Sequence, residues 1–133
     1  MRLPAMLASC LLLATAPATA QPRVEEPFRI FFDWGKPDLT RDAQATLDEV
    51  AAAYQRLRPS AIEIVGHTDR SGSIAVNRAA SRRRAEAART YLAAKGIPIS
   101  VMAIFAHGEG RLIVPTEDGV REGQNRRVEI VFR

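Results

Sequence analysis

The chain alternates between short apolar segments and longer amphipathic ones. Four short segments, residues 28–32, 61–65, 101–105 and 127–132, are rich in aromatic and β-branched side chains and have the length of β-strands. Between the first three of them, apolar residues recur every three or four positions, which predicts two α-helices. The predicted order is therefore β-α-β-α-β-β. Helical crossovers imply parallel pairing in part of the sheet, and we expect the last strand to add antiparallel.

The ends of both helices carry clear signals. Thr40 is a candidate N-cap, with Asp42 in the first turn, where the helix dipole favours an acidic side chain. Pro59 keeps the preceding residue, Arg58, out of the α region and so ends the first helix. The second helix is predicted from about Ile74 to Lys95, followed by a glycine suited to the left-handed conformation.

The first twenty residues have the composition of a secretory signal peptide. Arg2 precedes an apolar stretch, and the segment ends in the small residues Ala18-Thr19-Ala20. We therefore predict a signal peptide at 1–20, a short lead-in at 21–27 and one domain at 28–133. An uncleaved membrane anchor is the alternative interpretation of the apolar stretch.

Cys10 offers a second way to process this leader. Leu7-Ala8-Ser9-Cys10 resembles a bacterial lipobox, which would make the protein a lipoprotein of the outer membrane. Three leucines follow Cys10, however, where lipoproteins usually have a polar tether. This favours cleavage after Ala20, and the only cysteine of the chain would then be lost.

Composition limits the choice of function. At 133 residues, 47% hydrophobic and 26% charged, the chain is typical of one globular domain. A single cysteine excludes a disulfide scaffold and a cysteine-based zinc site. The chain has 17 arginines but only 2 lysines, and arginine favours planar anions such as carboxylate and phosphate. The net charge of +4 falls to +3 without Arg2, which is too small to indicate a polyanionic partner.

The residues with the most specific chemistry lie around the second helix. Asp69 stands in the polar loop before it, and Asn77, Ser81 and Arg84 are spaced to share one helical face. An acid and an arginine in one pocket can hold a zwitterion, because the carboxylate binds an ammonium and the guanidinium binds a carboxylate. The alternative is a solvated helix whose arginines pair with Asp69 and Glu86.

Three blocks of sequence resemble the peptidoglycan-binding domain shared by the OmpA C-terminal region, Pal lipoproteins and MotB. The blocks are Gly66-His67-Thr68-Asp69, then Asn77 with Ser81-Arg82-Arg83-Arg84-Ala85, and finally Asn125-Arg126-Arg127-Val128-Glu129-Ile130. They occur in the family's order and spacing, and the resemblance extends over about residues 28–133. It implies an α+β fold, a β-α-β-α-β-β sandwich with the helices packed on a mixed parallel and antiparallel sheet.

The resemblance also implies a function. Members of this family bind peptidoglycan non-covalently at the meso-diaminopimelate of the stem peptide. We therefore expect a periplasmic or outer-membrane protein that anchors itself, or an envelope partner, to the cell wall. The resemblance implies neither an enzyme nor a cofactor or metal. Because we expect the pocket to be open to water, binding at a single site should be weak and strengthened by the many copies in the polymer.

The resemblance assigns roles to six residues of this chain. Asp69 and Arg84 match the acid and the arginine that anchor the ligand, and Asn77 matches an asparagine that lines the pocket. The other three, which match positions at or near its rim, are Asp33, Thr68 and Arg126.

Two enzyme-like alternatives rest on the same loop. His67 and His107 with Asp69 could ligate a metal, although a histidine beside a strand end is more often structural. Ser71 or Ser73 with His67 and Asp69 could form the triad of a cell-wall hydrolase. Neighbouring positions in one loop do not give triad geometry, and the chain has no G-x-S-x-G motif.

Nucleic-acid binding is the remaining alternative. It is suggested by the arginines of the second helix, which are Arg78, Arg82, Arg83, Arg84 and Arg89. A predicted export signal, an aromatic content of only 6% and the acidic residues interspersed among the arginines argue against it.

Overall fold

The computed structural model describes residues 26–133, together with Ala14. Apart from Ala14, the predicted signal peptide with Cys10 lies outside the described residues, as do residues 21–25 of the predicted lead-in. No helix in the described part of the chain is both long enough and apolar enough to cross a membrane.

Four strands form one mixed sheet in the order β1-β4-β2-β3. The last strand lies between β1 and β2 and is antiparallel to both, whereas β2 and β3 are parallel. The strand bounds are Phe28–Phe31 for β1, Ile62–Gly66 for β2, Met102–Ala106 for β3 and Arg127–Phe132 for β4. The predicted element order and the antiparallel last strand are confirmed, and no predicted strand end is off by more than one residue.

Two helices, α1 over Arg41–Leu57 and α2 over Ile74–Ala94, connect the strands. The Thr40 hydroxyl accepts a hydrogen bond from the amide of Ala43 at 3.1 Å, so the predicted cap is confirmed. Arg58 adopts a left-handed conformation with φ of 45° and ends α1 just before Pro59. Short 3-10 turns precede the last two strands, at Ile99–Val101 and Gly123–Asn125.

The helices cover one face of the sheet and enclose the core. Its fully buried side chains come from both layers and include Ile30, Leu47, Ile64, Leu92 and Ile130. The predicted fold class is therefore confirmed as two helices packed on a four-stranded mixed sheet. The opposite face carries charged side chains, as the alternation along a strand requires.

One glycine controls how closely α2 approaches the sheet. A Cβ on Gly66 would lie 2.0 Å from the carbonyl oxygen of Ser81, so no larger residue fits between β2 and α2 there. The Ser81 hydroxyl in turn accepts a hydrogen bond from the amide of Gly108 at 3.0 Å. These contacts fix the start of α2 against the end of β2, where the loop carrying Asp69 begins.

Candidate functional site

A cavity of about 180 Å³ opens beside the start of α2, close to the ends of β1 and β2 and the start of β4. Five of the six predicted site residues line it, namely Thr68, Asp69, Asn77, Arg84 and Arg126. The structure therefore brings together residues up to 58 positions apart in the sequence. The rest of the lining is Trp34, Gly35, Ser71, Gly72, Val76, Ala80 and Arg83.

Asp69 is buried and held at both carboxylate oxygens. Oδ1 accepts hydrogen bonds from the amide and the hydroxyl of Ser71, and Oδ2 accepts them from the amide of Glu122 at 3.2 Å and from Arg126 at 3.0 Å. Burial raises the pKa of Asp69, but these hydrogen bonds outweigh it and hold the pKa below its usual value. The cavity therefore contains a fixed negative charge at neutral pH.

Arg84 is equally buried, yet it has no acidic partner. Its three nitrogens donate long hydrogen bonds, of 3.3 to 3.4 Å, to the carbonyl oxygens of Asp33, Lys36 and His67. Across residues 26–133, no carboxylate oxygen lies within 4.0 Å of its guanidinium nitrogens. Burial and the neighbouring Arg126 lower the pKa of Arg84 to about 10, so it remains cationic at neutral pH.

This arrangement differs from two expectations. The alternative of a solvated helix is wrong for Arg84, which is only 3% exposed, and the arginine that pairs with Asp69 is Arg126, outside α2. The expectation of a pocket open to water is also wrong at Asp69 and Arg84, because Asp69 too is only 2% exposed. The β1–α1 connection explains the burial of Arg84, since the Phe32 ring lies 5.4 Å from its guanidinium carbon.

Asn77 and Thr68 form part of the cavity wall in different ways. The Asn77 amide donates hydrogen bonds to the carbonyl of Gly72 at 3.1 Å and to Glu109 at 3.4 Å, so it shapes the loop above α2. The hydroxyl of Thr68 is buried and has no hydrogen-bond partner within the described chain. Buried polar groups rarely remain unpaired, so Thr68 is an exception within the cavity wall.

Asp33 contacts the site through its backbone. Its carbonyl oxygen accepts a hydrogen bond from Arg84. Asp33 itself is exposed and lines a separate cavity of about 510 Å³ between β1, α1 and residues 122–124. Arg126 lines both cavities, and its Nε also donates to the carbonyl of Phe32 at 3.1 Å. Asp33 is thus adjacent to the Asp69–Arg84 cavity without lining it.

Sequence reasoning missed a rim formed by Trp34, Ser71 and Arg121. The Trp34 indole donates a hydrogen bond to the Ser71 hydroxyl at 3.0 Å, and the Arg121 guanidinium carbon lies 3.5 Å from the Trp34 ring centroid. The only available signal was that Trp34 directly follows Asp33. Its two partners come from distant loops, so neither contact is visible in the local pattern.

The enzyme-like alternatives lack the necessary geometry. The Ser71 hydroxyl donates to Asp69, and both ring nitrogens of His67 are buried without a hydrogen-bond partner, so no serine–histidine pair exists. Burial and the nearby Arg127 lower the pKa of His67 to about 4. Within the described residues, no group of three or more histidine, cysteine, aspartate and glutamate side chains is placed to hold a metal ion.

Known proteins share both this sequence pattern and this fold. The OmpA family model matches residues 31–126. An outer membrane protein of Gluconacetobacter diazotrophicus is 35% identical over 117 residues, which cover 84% of this chain and 31% of that protein. A peptidoglycan-associated lipoprotein of Brucella melitensis is 36% identical over 104 residues, which cover 78% and 62%. The matched part of this chain thus spans less than two thirds of the length of either relative.

Solved structures agree with this assignment. The crystal structure of the peptidoglycan-associated lipoprotein from Burkholderia pseudomallei superposes with a TM-score of 0.72 and 28% identity, covering 79% of this chain and 89% of that one. The C-terminal domain of Helicobacter pylori MotB gives a TM-score of 0.68 at 22% identity, covering 81% and 84%, and supports the fold alone. Taken with the family match over residues 31–126, these similarities establish that the chain belongs to the OmpA family.

Proposed function

We propose that residues 28–133 form a module that binds peptidoglycan non-covalently, through the zwitterionic end of diaminopimelate in the stem peptide. Such a module would anchor the protein, or an envelope partner, to the cell wall. The observation that carries the proposal is the buried Arg84, which lacks an acidic partner within residues 26–133 and shares a cavity with Asp69. The pair supplies a cation and an anion to a ligand that carries both charges.

The charge balance of the cavity requires an anionic group on the ligand. Arg83, Arg84 and Arg126 line it, against the single carboxylate of Asp69. A buried cation is strongly stabilised by a counter-ion, and a guanidinium binds a carboxylate through two parallel hydrogen bonds. A ligand carboxylate would replace the long carbonyl contacts of Arg84 with this stronger pair.

The ligand ammonium would bind on the Asp69 side. The carboxylate of Asp69 already accepts four hydrogen bonds, which occupy about all of its lone-pair directions. The ammonium must therefore share an oxygen with one of these donors, and the side chain of Arg126 can yield more easily than a backbone amide.

The names of the similar proteins support an envelope function. They include an outer membrane protein, peptidoglycan-associated lipoproteins and a structure described as the cell wall anchor of the type VI secretion system from Pseudomonas aeruginosa. The envelope localisation expected from the sequence agrees with these names. We propose no catalytic step, because binding alone accounts for the arrangement of the cavity.

Sedimentation with purified peptidoglycan sacculi tests the proposal. Arg84→Lys keeps the charge but loses the fork that pairs with a carboxylate, and Asp69→Asn removes the negative charge. We expect each variant to bind at least about tenfold more weakly, because Arg84→Lys loses the paired hydrogen bonds to the ligand carboxylate and Asp69→Asn loses the counter-charge of the ligand ammonium. Circular dichroism and thermal unfolding would verify that both variants fold.

Arg82→Lys is the matched control, because Arg82 lies on the same helix but is exposed and does not line the cavity. It should sediment with sacculi like the wild type. If Arg84→Lys and Asp69→Asn also sediment like the wild type, the binding site is not this cavity. Release of soluble muropeptides from the sacculi would instead indicate a hydrolase.

A further inference from the structure

We propose that Trp34 is a specificity-determining residue of this site. In this proposal its indole packs against the aliphatic chain that carries the ligand zwitterion. Trp34 would thereby favour long diamino acids over short zwitterions with the same charged groups. The inference rests on the proposed function, since it concerns the same cavity and ligand.

The cavity changes character between its interior and its mouth. Its anchoring charges, Asp69 and Arg84, are no more than 3% exposed. Two of its apolar lining residues are among the most exposed large hydrophobic side chains, with Trp34 at 48% and Val76 at 58%. A ligand whose charged end reaches the interior could therefore place its methylene groups against these two side chains, where they would be removed from water.

Trp34 is fixed in position even though it contributes little to the core. Its indole nitrogen donates to the Ser71 hydroxyl at 3.0 Å, and Arg121 stacks 3.5 Å from the ring centroid. An exposed aromatic ring held at two points provides a preorganised contact surface, which reduces the entropy lost when a ligand packs on it.

The same restraint connects Trp34 to the anchoring acid. The Ser71 hydroxyl accepts from Trp34 and donates its one hydrogen to Asp69. The indole thus leaves the Ser71 hydrogen free for the carboxylate, while the Ser71 amide and Arg126 hold Asp69 without help from Trp34. Loss of the indole nitrogen alone should affect this chain of hydrogen bonds, whereas loss of the ring should also remove the apolar surface.

Free ligands with and without an aliphatic chain separate these roles. meso-Diaminopimelate carries a zwitterion at each end of a chain of three methylene groups, whereas glycine carries a single zwitterion and no chain. Both can reach Asp69 and Arg84, but only the longer ligand can cover Trp34. Each methylene group removed from water strengthens binding about fourfold, so partial burial of the chain against Trp34 should contribute about tenfold to affinity.

Fluorescence provides a direct measurement, because Trp34 is the only tryptophan of the chain. Titration with meso-diaminopimelate should shift the emission of the wild type to shorter wavelength and protect Trp34 from iodide quenching. Glycine, which does not reach the ring, should cause neither change. Calorimetric titration of the same samples would give the affinities independently of the fluorophore.

Two substitutions complete the test. Trp34→Ala should bind meso-diaminopimelate about tenfold more weakly and glycine within twofold of the wild type, while Trp34→Phe should retain most of the preference for the longer ligand. Equal binding of meso-diaminopimelate by Trp34→Ala and the wild type would overturn the inference. Equal losses for both ligands would also overturn it, because Trp34 would then act only on the charged interior.

These outcomes differ from those that would overturn the proposed function. If Arg84→Lys binds meso-diaminopimelate and sacculi like the wild type, the cavity itself is wrongly assigned and the role of Trp34 falls with it. If Arg84→Lys loses binding but Trp34→Ala does not, the proposed function stands and only the inference about Trp34 is wrong.

Discussion

Arg84 and Arg127 are both buried near one end of the sheet, on its two opposite faces, and they differ in one respect. Arg127 is 4% exposed and donates to the carboxylate of Glu129 at 2.8 Å, as well as to two carbonyl oxygens. Arg84 is 3% exposed and donates to three carbonyl oxygens, with no carboxylate among its hydrogen-bond partners in the described chain. Burial is therefore the same in both, and only the counter-ion differs.

The comparison separates an arginine whose charge is balanced inside the protein from one whose charge is not. Desolvation of a guanidinium is costly, and a structural arginine offsets that cost with an acidic partner inside the protein. Arg127 has such a partner in Glu129, and we define the outer cluster as His67, Arg127 and Glu129. The Asp69–Arg84 cavity lacks it for Arg84, since Asp69 is engaged by Arg126.

Arg127→Met should destabilise the fold most. It removes the buried cation and leaves Glu129 with only the more exposed Arg29, so we expect the free energy of unfolding to fall by about 4 kcal/mol. Urea unfolding followed by circular dichroism would measure the loss. The folded fraction should still bind sacculi. A loss below about 1 kcal/mol would mean that the outer cluster is not a structural ion pair.

The outer cluster should also produce a pH dependence. Burial and Arg127 lower the pKa of His67 from 6.5 to about 4. At pH values between 6.5 and about 4, His67 is protonated in the unfolded chain but not in the folded one. The free energy of unfolding should therefore fall as the pH drops from 6.5 to about 4. The expected loss is about 3 kcal/mol.

Urea unfolding at a series of pH values measures this loss, with His67→Leu as the comparison. The variant should show a flatter profile, although His107, whose pKa burial also lowers, retains a smaller contribution. A wild-type stability that is equal at pH 6.5 and pH 4.5 would contradict the prediction.

Arg84→Met should have a small effect on stability and a large one on binding. It removes a buried cation that Arg126 repels, and this relief offsets the loss of three long hydrogen bonds. We expect the free energy of unfolding to change by less than about 1 kcal/mol, while sedimentation with sacculi is lost. A destabilisation as large as that of Arg127→Met would remove the distinction between the two arginines.

Arg29→Ala should have the smallest effect. Arg29 also donates to Glu129, at 3.3 Å, but its side chain is 44% exposed. Exposed pairs contribute little, so we expect a change within about 0.5 kcal/mol. Thermal unfolding at low and high salt would measure it. A larger effect would show that the outer cluster depends on this outer partner as well as on Arg127.

Local signals predicted the fold because its elements are set by nearby residues. Thr40 caps α1, Arg58 leaves the helical region before Pro59, and Gly96 adopts a positive φ of 98° after α2. Each of these depends on the conformational preference of one or two residues. The sequence therefore predicts where elements begin and end, to within one residue for every strand and for α2.

The site was predictable only in part, because much of it depends on tertiary packing. Spacing on α2 indicated that Asn77 and Arg84 share a face, and the family resemblance pointed to Asp69. The pairing of Asp69 with Arg126 and the covering of Arg84 by the β1–α1 connection involve residues about 50 positions away or more. No local pattern contains that information, and the burial of both charges was missed for the same reason.

The position of β1 has a mechanical consequence. Among the described strands β1 lies at the edge of the sheet and pairs with β4 alone, and it leads from Phe28 towards the cavity, where Trp34 lines the wall. With a polymer held in the cavity and a pull applied at Phe28, the load runs along the strand. The β1–β4 hydrogen bonds are then loaded in shear, so they must break together and not one after another from one end of the strand.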